Sequence, residues 1–311
     1  MVFMRRMKFV FSALVLAFAL TGALASCSHG SAAANPGADQ TGSDPFEYNA
    51  LPGVFTVGGN GERVSFAKGN LYHSGDSASE GWGFERNQYD YRTWHYGGES
   101  NAVIGGLGAQ TPPGSTGLFS WSNDAGVSFS ESYSDPDRTS ADVFFVRLES
   151  RFSGSDWDVL SDDEWRYLLG LPSRASGSHS SRANASAKWG MACISVPSGA
   201  RVCGLVILPD DWTSPSGFSF SSGSGRGFST NCYDVAKWQR MEDAGAVFLP
   251  VSGCRSDSDI VGSDGYYWTS GHDDGEKDAA YGLYFKYNGI GITSNSRSYG
   301  KCVRLVVRNI V

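Results

Sequence analysis

The sequence predicts an α+β fold of short antiparallel sheets, two helices and long loops. Three observations predict it. The β-branched and aromatic runs are short and bounded by Gly, Ser, Asn and Asp, the pattern of half-buried strands between turns. Only two segments show helical spacing behind an N-terminal cap. The 311-residue chain contains 40 Gly and 13% aromatic but only 18% charged residues, the balance of a loop-rich body with an aromatic core. Short strands, two helices and long polar loops together imply an α+β domain.

Each element follows from local chemistry. Gly53-Val54-Phe55-Thr56-Val57 is β-rich and is closed by the turn signal Gly58-Gly59-Asn60-Gly61. Arg63 to Ala67 then returns as the second arm of a hairpin, and Asn70-Leu71-Tyr72 and Trp82-Gly83-Phe84 read as further short strands. From His95 to Asp142 the chain is Gly/Ser/Pro-rich, with Phe119-Ser120-Trp121 as its expected anchor. Ser161-Asp162-Asp163-Glu164 is a capping box, so a helix starts there, carries Trp165, Leu168 and Leu169 on one face and stops at Gly170. The second helix is expected over Asp234 to Asp243, with Val235, Trp238 and Met241 inward and Gly245 as C-cap. Later strands are expected at Met191–Ser195, Leu205–Leu208, Ala246–Leu249, Tyr266–Ser270, Tyr281–Phe285 and Cys302–Val307.

The N-terminus has its own grammar. Arg5, Arg6 and Lys8 precede an apolar run from Phe9 to Leu20, too short to cross a bilayer and of the length of a signal-peptide core. Leu24-Ala25-Ser26-Cys27 matches the lipobox of bacterial lipoproteins, so 1–26 is expected to be a signal peptide and Cys27 the lipid-bearing end. Lipid chains contribute about 0.8 kcal/mol per buried CH₂, enough for firm anchoring to a membrane. Ser28 in place of Asp argues against inner-membrane retention, so an outer-membrane location is expected. Residues 27–45 lack large apolar side chains and are expected to form a flexible tether, leaving 46–311 as one domain.

Charge excludes some partners. Without Arg5, Arg6 and Lys8 the remaining chain has 22 basic against 32 acidic residues, a net charge of −10, which gives no footprint for nucleic acid. Beyond Cys27 there are Cys193, Cys203, Cys232, Cys254 and Cys302. An exported location permits disulfides, an odd count leaves at least one thiol, and the pairing stays open.

No catalytic or cofactor motif emerges. The five histidines, His29, His73, His95, His179 and His272, lie in no triad setting, and there is no nucleophile elbow. Gly223-Ser224-Gly225-Arg226-Gly227 does not join a strand to a helix, so it does not read as a phosphate loop. His272-Asp273-Asp274-Gly275-Glu276 collects oxygen ligands for calcium, but a solvated acidic loop is the favoured reading. No metal site is expected.

A series of collinear segments then carries a resemblance. They are Val64-Ser65-Phe66-Ala67-Lys68-Gly69-Asn70-Leu71-Tyr72, the run from Trp82 to Tyr91, Leu118 to Trp121, Trp157 to Trp165, Gly204 to Asp210, Gly245 to Arg255, Gly265 to Ser270 and Gly300 to Val306. In this order they resemble Bacteroidetes lipoproteins similar to the Fibrobacter major paralogous domain and to the C-type-lectin fold of formylglycine-generating-enzyme type. The resemblance implies that Gly53–Val57 lies near Cys302–Val307 and that loops between the last strands form a ligand surface. It also implies kinship to proteins varied by diversity-generating retroelements, whose C-terminal stretch is rewritten by adenine-directed mutagenesis. The positions so implied are Ser256, Asp257, Ser258, Asp259, Ser263, Asp264, Tyr266, His272, Asp273, Asp274, Tyr287, Asn288, Asn295, Ser296, Ser298 and Tyr299, with Arg255 as a flanking contact. Glu276, Lys277, Lys286 and Lys301 fall outside the residue types that such rewriting yields and would be fixed.

Three functions follow as expectations. The first is a non-enzymatic binder of an unidentified protein or glycan at the cell surface, since Tyr, Ser, Asp and Asn are the chemistry of adaptable paratopes. The second is a thiol- or copper-dependent enzyme using Cys254 or Cys302, although a reactive cysteine pair in a defined pocket is not evident. The third is an envelope structural protein. The calcium-binding triplets of C-type lectins are missing, and Trp121-Ser122-Asn123-Asp124 lies too early in the chain to supply one.

Overall fold

The described residues build six small sheets rather than one large one. The computed structural model describes residues 50–73, 82–92, 103–105, 109–110, 117–121, 157–174, 180–223, 227–256, 259–261, 264–273, 275–276 and 278–309. The signal peptide, Cys27, the tether, most of His95 to Asp142, His179, and the positions Asp257, Ser258, Ser263, Asp274 and Lys277 lie outside the described residues.

The strands in chain order are β1 (Phe55–Thr56), β2 (Arg63–Phe66), β3 (Leu71–His73), β4 (Trp82–Phe84), β5 (Tyr91–Arg92), β6 (Val103–Gly105), β7 (Ala109–Gln110), β8 (Phe119–Ser120), β9 (Trp157–Asp158), β10 (Trp189–Ser195), β11 (Arg201–Ile207), β12 (Asn231–Asp234), β13 (Val247–Pro250), β14 (Cys254–Ser256), β15 (Asp259–Val261), β16 (Gly265–His272), β17 (Ala279–Lys286), β18 (Gly289–Ser296), β19 (Gly300–Lys301) and β20 (Val306–Asn309). Two α-helices, α1 (Asp162–Leu169) and α2 (Val235–Asp243), complete the α+β architecture among the described residues.

The first strands meet the last. The order β1-β2-β20-β9 pairs Val64 with Arg308 and Phe66 with Val306. The segment expected as a strand over Cys302–Val307 becomes regular only at Val306. Before that, Val303 and Leu305 use their carbonyls singly, accepting from the N–H groups of Leu71 and Ala67.

A central sheet of order β12-β10-β11-β13 separates two cores. Alternate side chains point to opposite faces of a strand. Trp189, Met191, Leu205, Ile207, Val247 and Leu249 therefore pack with α1, while Ile194, Val202, Val206 and Phe248 pack with Trp238 and Met241 of α2. A third cluster gathers Phe119, Trp121, Trp268, Val303 and Leu305. Trp165 and Trp238 are buried anchors, as their helical spacing predicts.

The capping box forms as the sequence dictates. The Ser161 hydroxyl accepts from the Glu164 N–H at 3.2 Å, and the Ser161 N–H donates to Glu164 Oε2 at 2.7 Å. Gly170 closes α1 in the left-handed region at φ 67°. Ser161→Ala removes one arm of this reciprocal pair and is expected to cost about 1 kcal/mol in urea unfolding; an unchanged midpoint would contradict the role. In α2 the Asp234 carboxylate accepts from the Lys237 N–H at 2.7 Å. The C-cap there is Ala244, with Gly245 one residue beyond at φ 89°, a correction to the expected cap. The left-handed turn needs the glycine, while the cap itself does not.

The polar residues of the collinear motifs bind the cores together. Arg304 is 1% exposed, and its guanidinium donates to Asn70 Oδ1 at 2.9 Å, the Phe248 carbonyl at 2.9 Å, the Ala67 carbonyl at 3.2 Å and Gln88 Oε1 at 3.4 Å. Gln88 in turn accepts from the Phe248 N–H and donates to Glu242 and the Ala246 carbonyl. Asp210 accepts from the Thr56 N–H and hydroxyl and from Arg182, which also donates to the Leu168 and Leu208 carbonyls. Arg308 joins Glu62, Asp158 and Glu164, tying β20 to the residue ahead of β2, to β9 and to α1. Buried polar groups require such partners, so these residues act as struts.

Candidate functional site

The last part of the chain folds into the antiparallel sheet β16-β17-β18, and its two faces differ. Tyr267, Leu283, Phe285, Ile290 and Ile292 point into the α1-side core. The opposite face carries, in register, Tyr266 beside Tyr284 beside Gly291, then Trp268 beside Gly282 beside Thr293. Trp268 is buried against the Phe119/Trp121 cluster, whereas Tyr266, Tyr284, Gly291 and Thr293 stay half-exposed. At the β17–β18 turn, Tyr287 is 62% exposed, the large hydrophobic side chain most open to solvent among the described residues.

Lys301 lies beneath this face. It is fully buried, with its ammonium 4.0 Å from the Trp268 ring centroid and 5.8 Å from that of Tyr266. Its Nζ donates to Asn295 Oδ1 at 2.8 Å. A Cβ at Gly282 would come within 2.6 Å of that nitrogen, which is why the strand is bare there. Burial pushes the Lys301 pKa down to about 7, opposed by the neighbouring Cys254. Burial also raises the Tyr266 phenol, so this residue serves as a neutral hydroxyl at physiological pH.

The expected ligand residues separate into groups. Tyr266 and Asn295 are brought together through Lys301. Arg255, Ser256 and Asp259 form the β14–β15 hairpin, Arg255 pairing with Gly300 and Ser256 with Asp259; their side chains lie outside the description. Asn288 and Tyr287 occupy the exposed turn. Asp264 is half-buried and accepts from the Tyr266 hydroxyl at 3.5 Å.

His272 and Asp273 sit at the other end of the sheet. His272 is exposed, with its ring 5.9 Å from that of Trp121. The Asp273 carboxylate accepts from the Gly275 N–H at 3.0 Å, and this bond holds its pKa below the ordinary carboxylate range. The acidic run therefore shapes a turn, and among the described residues no group of three His, Cys, Asp or Glu side chains could hold a metal ion. Ser296 and Ser298 are exposed and share a hydrogen bond at 2.8 Å around the turn, while Tyr299 packs half-buried on the Trp121 cluster.

One expectation needs correction. The parts of 255–299 outside Tyr266–Ser270 and Tyr281–Phe285 are not all loop, because β14 and β15 hold Arg255, Ser256 and Asp259, and β18 holds Asn295 and Ser296. Gly289-Ile290-Gly291-Ile292-Thr293-Ser294-Asn295-Ser296 reads as loop because glycine and serine disfavour strands. Its period-2 isoleucines were the available signal, and Gly291 leaves room for the Tyr284 ring, which a Cβ would approach to 2.8 Å.

Among the described residues the cysteines resolve as one disulfide, Cys193–Cys203, with thiols at Cys232, Cys254 and Cys302. Cys302 donates to the Ser252 hydroxyl at 3.0 Å, and burial pushes its thiol up to about 12. The sequence leaves the pairing open, although Cys193 and Cys203 lie equally far on either side of Ser198, at the centre of the β10–β11 hairpin. Among the described residues no helix is long and apolar enough to cross a membrane. The molecule thus defines an α+β class in which buried polar struts support a half-exposed tyrosine sheet. No family model, no curated protein and no solved structure matches the chain.

Proposed function

We propose that the protein is an exported lipoprotein, held at the outer membrane through lipid on Cys27, whose C-terminal sheet recognises a protein or glycan ligand at the cell surface. The observation that carries this reading is the row Tyr266–Tyr284–Gly291, half-exposed on a sheet whose other face is buried in the core. Tyrosine offers large contact area, a hydrogen-bonding tip and little conformational entropy to lose. Recognition on a rigid support needs no rearrangement on binding. The C-type-lectin-like reading is supported by the pairing of β2 with β20, which joins the chain's first strands to its last. Diversification is supported by the exposure of Tyr287, Asn288 and Ser298; of the residue types outside that repertoire, Lys301 is buried while Glu276 and Lys286 are exposed.

The protonated, buried Cys302 thiol favours binding over thiol or copper chemistry, because the thiolate is the reactive and metal-binding form. Two experiments test the reading. Cys27→Ser is expected to abolish metabolic labelling with fatty acid and release the protein from the membrane fraction; continued labelling would refute the anchor. Cells displaying the full chain, screened on glycan and protein arrays, are expected to capture a discrete ligand set. Failure to retain any ligand above cells lacking the protein would refute recognition.

A further inference from the structure

The central sheet carries three cysteines in one row. β12, β10 and β11 are neighbours in that order; Cys232 is the register partner of Cys193, and Cys193 is the partner of Cys203. Register partners present their side chains on one face of a sheet. Burial agrees, since Asn231 and Tyr233 are buried while Cys232 between them is exposed. Cys193 and Cys203 share the disulfide, and the Cys232 thiol donates to the Ser229 carbonyl at 3.3 Å.

We propose that Cys232 exchanges with this disulfide, so that one covalent bridge occupies either of two adjacent inter-strand positions. Neighbouring strands lie about 4.8 Å apart, within the Cα separation that a disulfide spans. The row also sets the direction of attack. Cys193 is the middle sulfur, with the attacking Cys232 on one side and the leaving Cys203 on the other, the arrangement that displacement along the S–S axis requires.

The step is balanced without an external oxidant or reductant. Deprotonated Cys232 Sγ forms a bond to Cys193 Sγ, the Cys193–Cys203 bond breaks, and Cys203 leaves as the thiolate and takes up the proton lost from Cys232. Burial of Cys193 favours this internal thiol over thiols from solution.

The exchange moves a mechanical tie. In the first state the bridge fastens β10 to β11, whose Cys203 carbonyl accepts from the Val251 N–H on the path to Cys254 and the tyrosine sheet. In the second state it fastens β10 to β12, which leads directly into α2. Cys203, half-exposed, then carries the thiol that Cys232 gave up.

Disulfide mapping tests the exchange. The full chain, without reductant and at high dilution, is held at about pH 8.5, the midpoint for a free cysteine, or at about pH 6, then trapped with N-ethylmaleimide and digested. The expected result is both bridges, Cys193–Cys203 with label on Cys232 and Cys193–Cys232 with label on Cys203, the mixture forming faster at the higher pH. Cys232→Ser is expected to leave Cys203 unlabelled, and Cys203→Ser, supplied with oxidised glutathione, to form the Cys193–Cys232 bridge. Cys203 still unlabelled after prolonged incubation would overturn the proposal. So would a bridge to Cys254 or Cys302, which would mean scrambling through unfolding, or a dimer bridged through Cys232.

Discussion

Replacing Arg304 by methionine is expected to lower the free energy of unfolding by about 3–5 kcal/mol, read from urea or guanidinium melts. The side chain donates to Asn70, Gln88 and the carbonyls of Ala67 and Phe248, groups contributed by three separate stretches of chain. Methionine fills similar volume but leaves those buried acceptors without a donor, and each unsatisfied group costs about 1–3 kcal/mol before relaxation. Burial lowers the guanidinium pKa to about 10, so it stays charged at neutral pH. Arg304→Lys keeps a charge but not the planar fork that reaches several acceptors, so its loss is expected to be intermediate. A Met variant within 1 kcal/mol of the parent, roughly the effect of an ordinary surface substitution, would show that the strut does not hold the cores together.

Lys301 gives the second large effect, and it has a pH signature. Its folded pKa is about 7, against roughly 10.4 for an unfolded lysine. Below the lower value both states hold the proton, and the folded protein bears the full cost of a buried ammonium. Between the two values the unfolded chain binds more protons, so stability rises with pH, on the order of 1.4 kcal/mol per unit. Lys301→Met removes this dependence. The difference between parent and variant is therefore expected to move in the parent's favour from about pH 7 to 9. Comparing the two proteins cancels Cys302, raised to about 12, and the raised phenol of Tyr266, which both contribute at the alkaline end in each. A parent-minus-variant difference flat across that interval would mean that Lys301 titrates normally.

The parts of the molecule legible in its sequence are those fixed locally. The Ser161–Glu164 box spans one helical turn, so residue types three apart reveal both the cap and the helix. The same holds for Asp234 ahead of α2. The β1–β2 hairpin follows from the turn between its arms.

What the sequence hides is long-range. Asn70 and Arg304 meet across 234 residues, and nothing near either one identifies the partner. The motif residues Asn70, Gln88, Asp210 and Arg304 stand in separate segments of the sequence, and each is a strut once folded. The tyrosine face is partly legible. Tyr266 is among the positions that the resemblance implies, whereas Tyr284 is not singled out, since it lies inside the strand expected over Tyr281–Phe285. Its neighbour β18, poor in strand formers, is held by register rather than by propensity, and that register is what opens the face.

The recognition face itself is tested most directly by comparing paired variants in one ligand screen. Tyr266→Ala with Tyr284→Ala alters the half-exposed sheet, and Gln239→Ala with Arg240→Ala alters the exposed side of α2, both in the full displayed chain with thermal unfolding measured in parallel. The account predicts that the tyrosine pair loses ligand capture by tenfold or more, about 1.4 kcal/mol, with unfolding little changed, and that the helix pair retains it. Capture that survives the tyrosine pair, or that disappears with the helix pair, would contradict it.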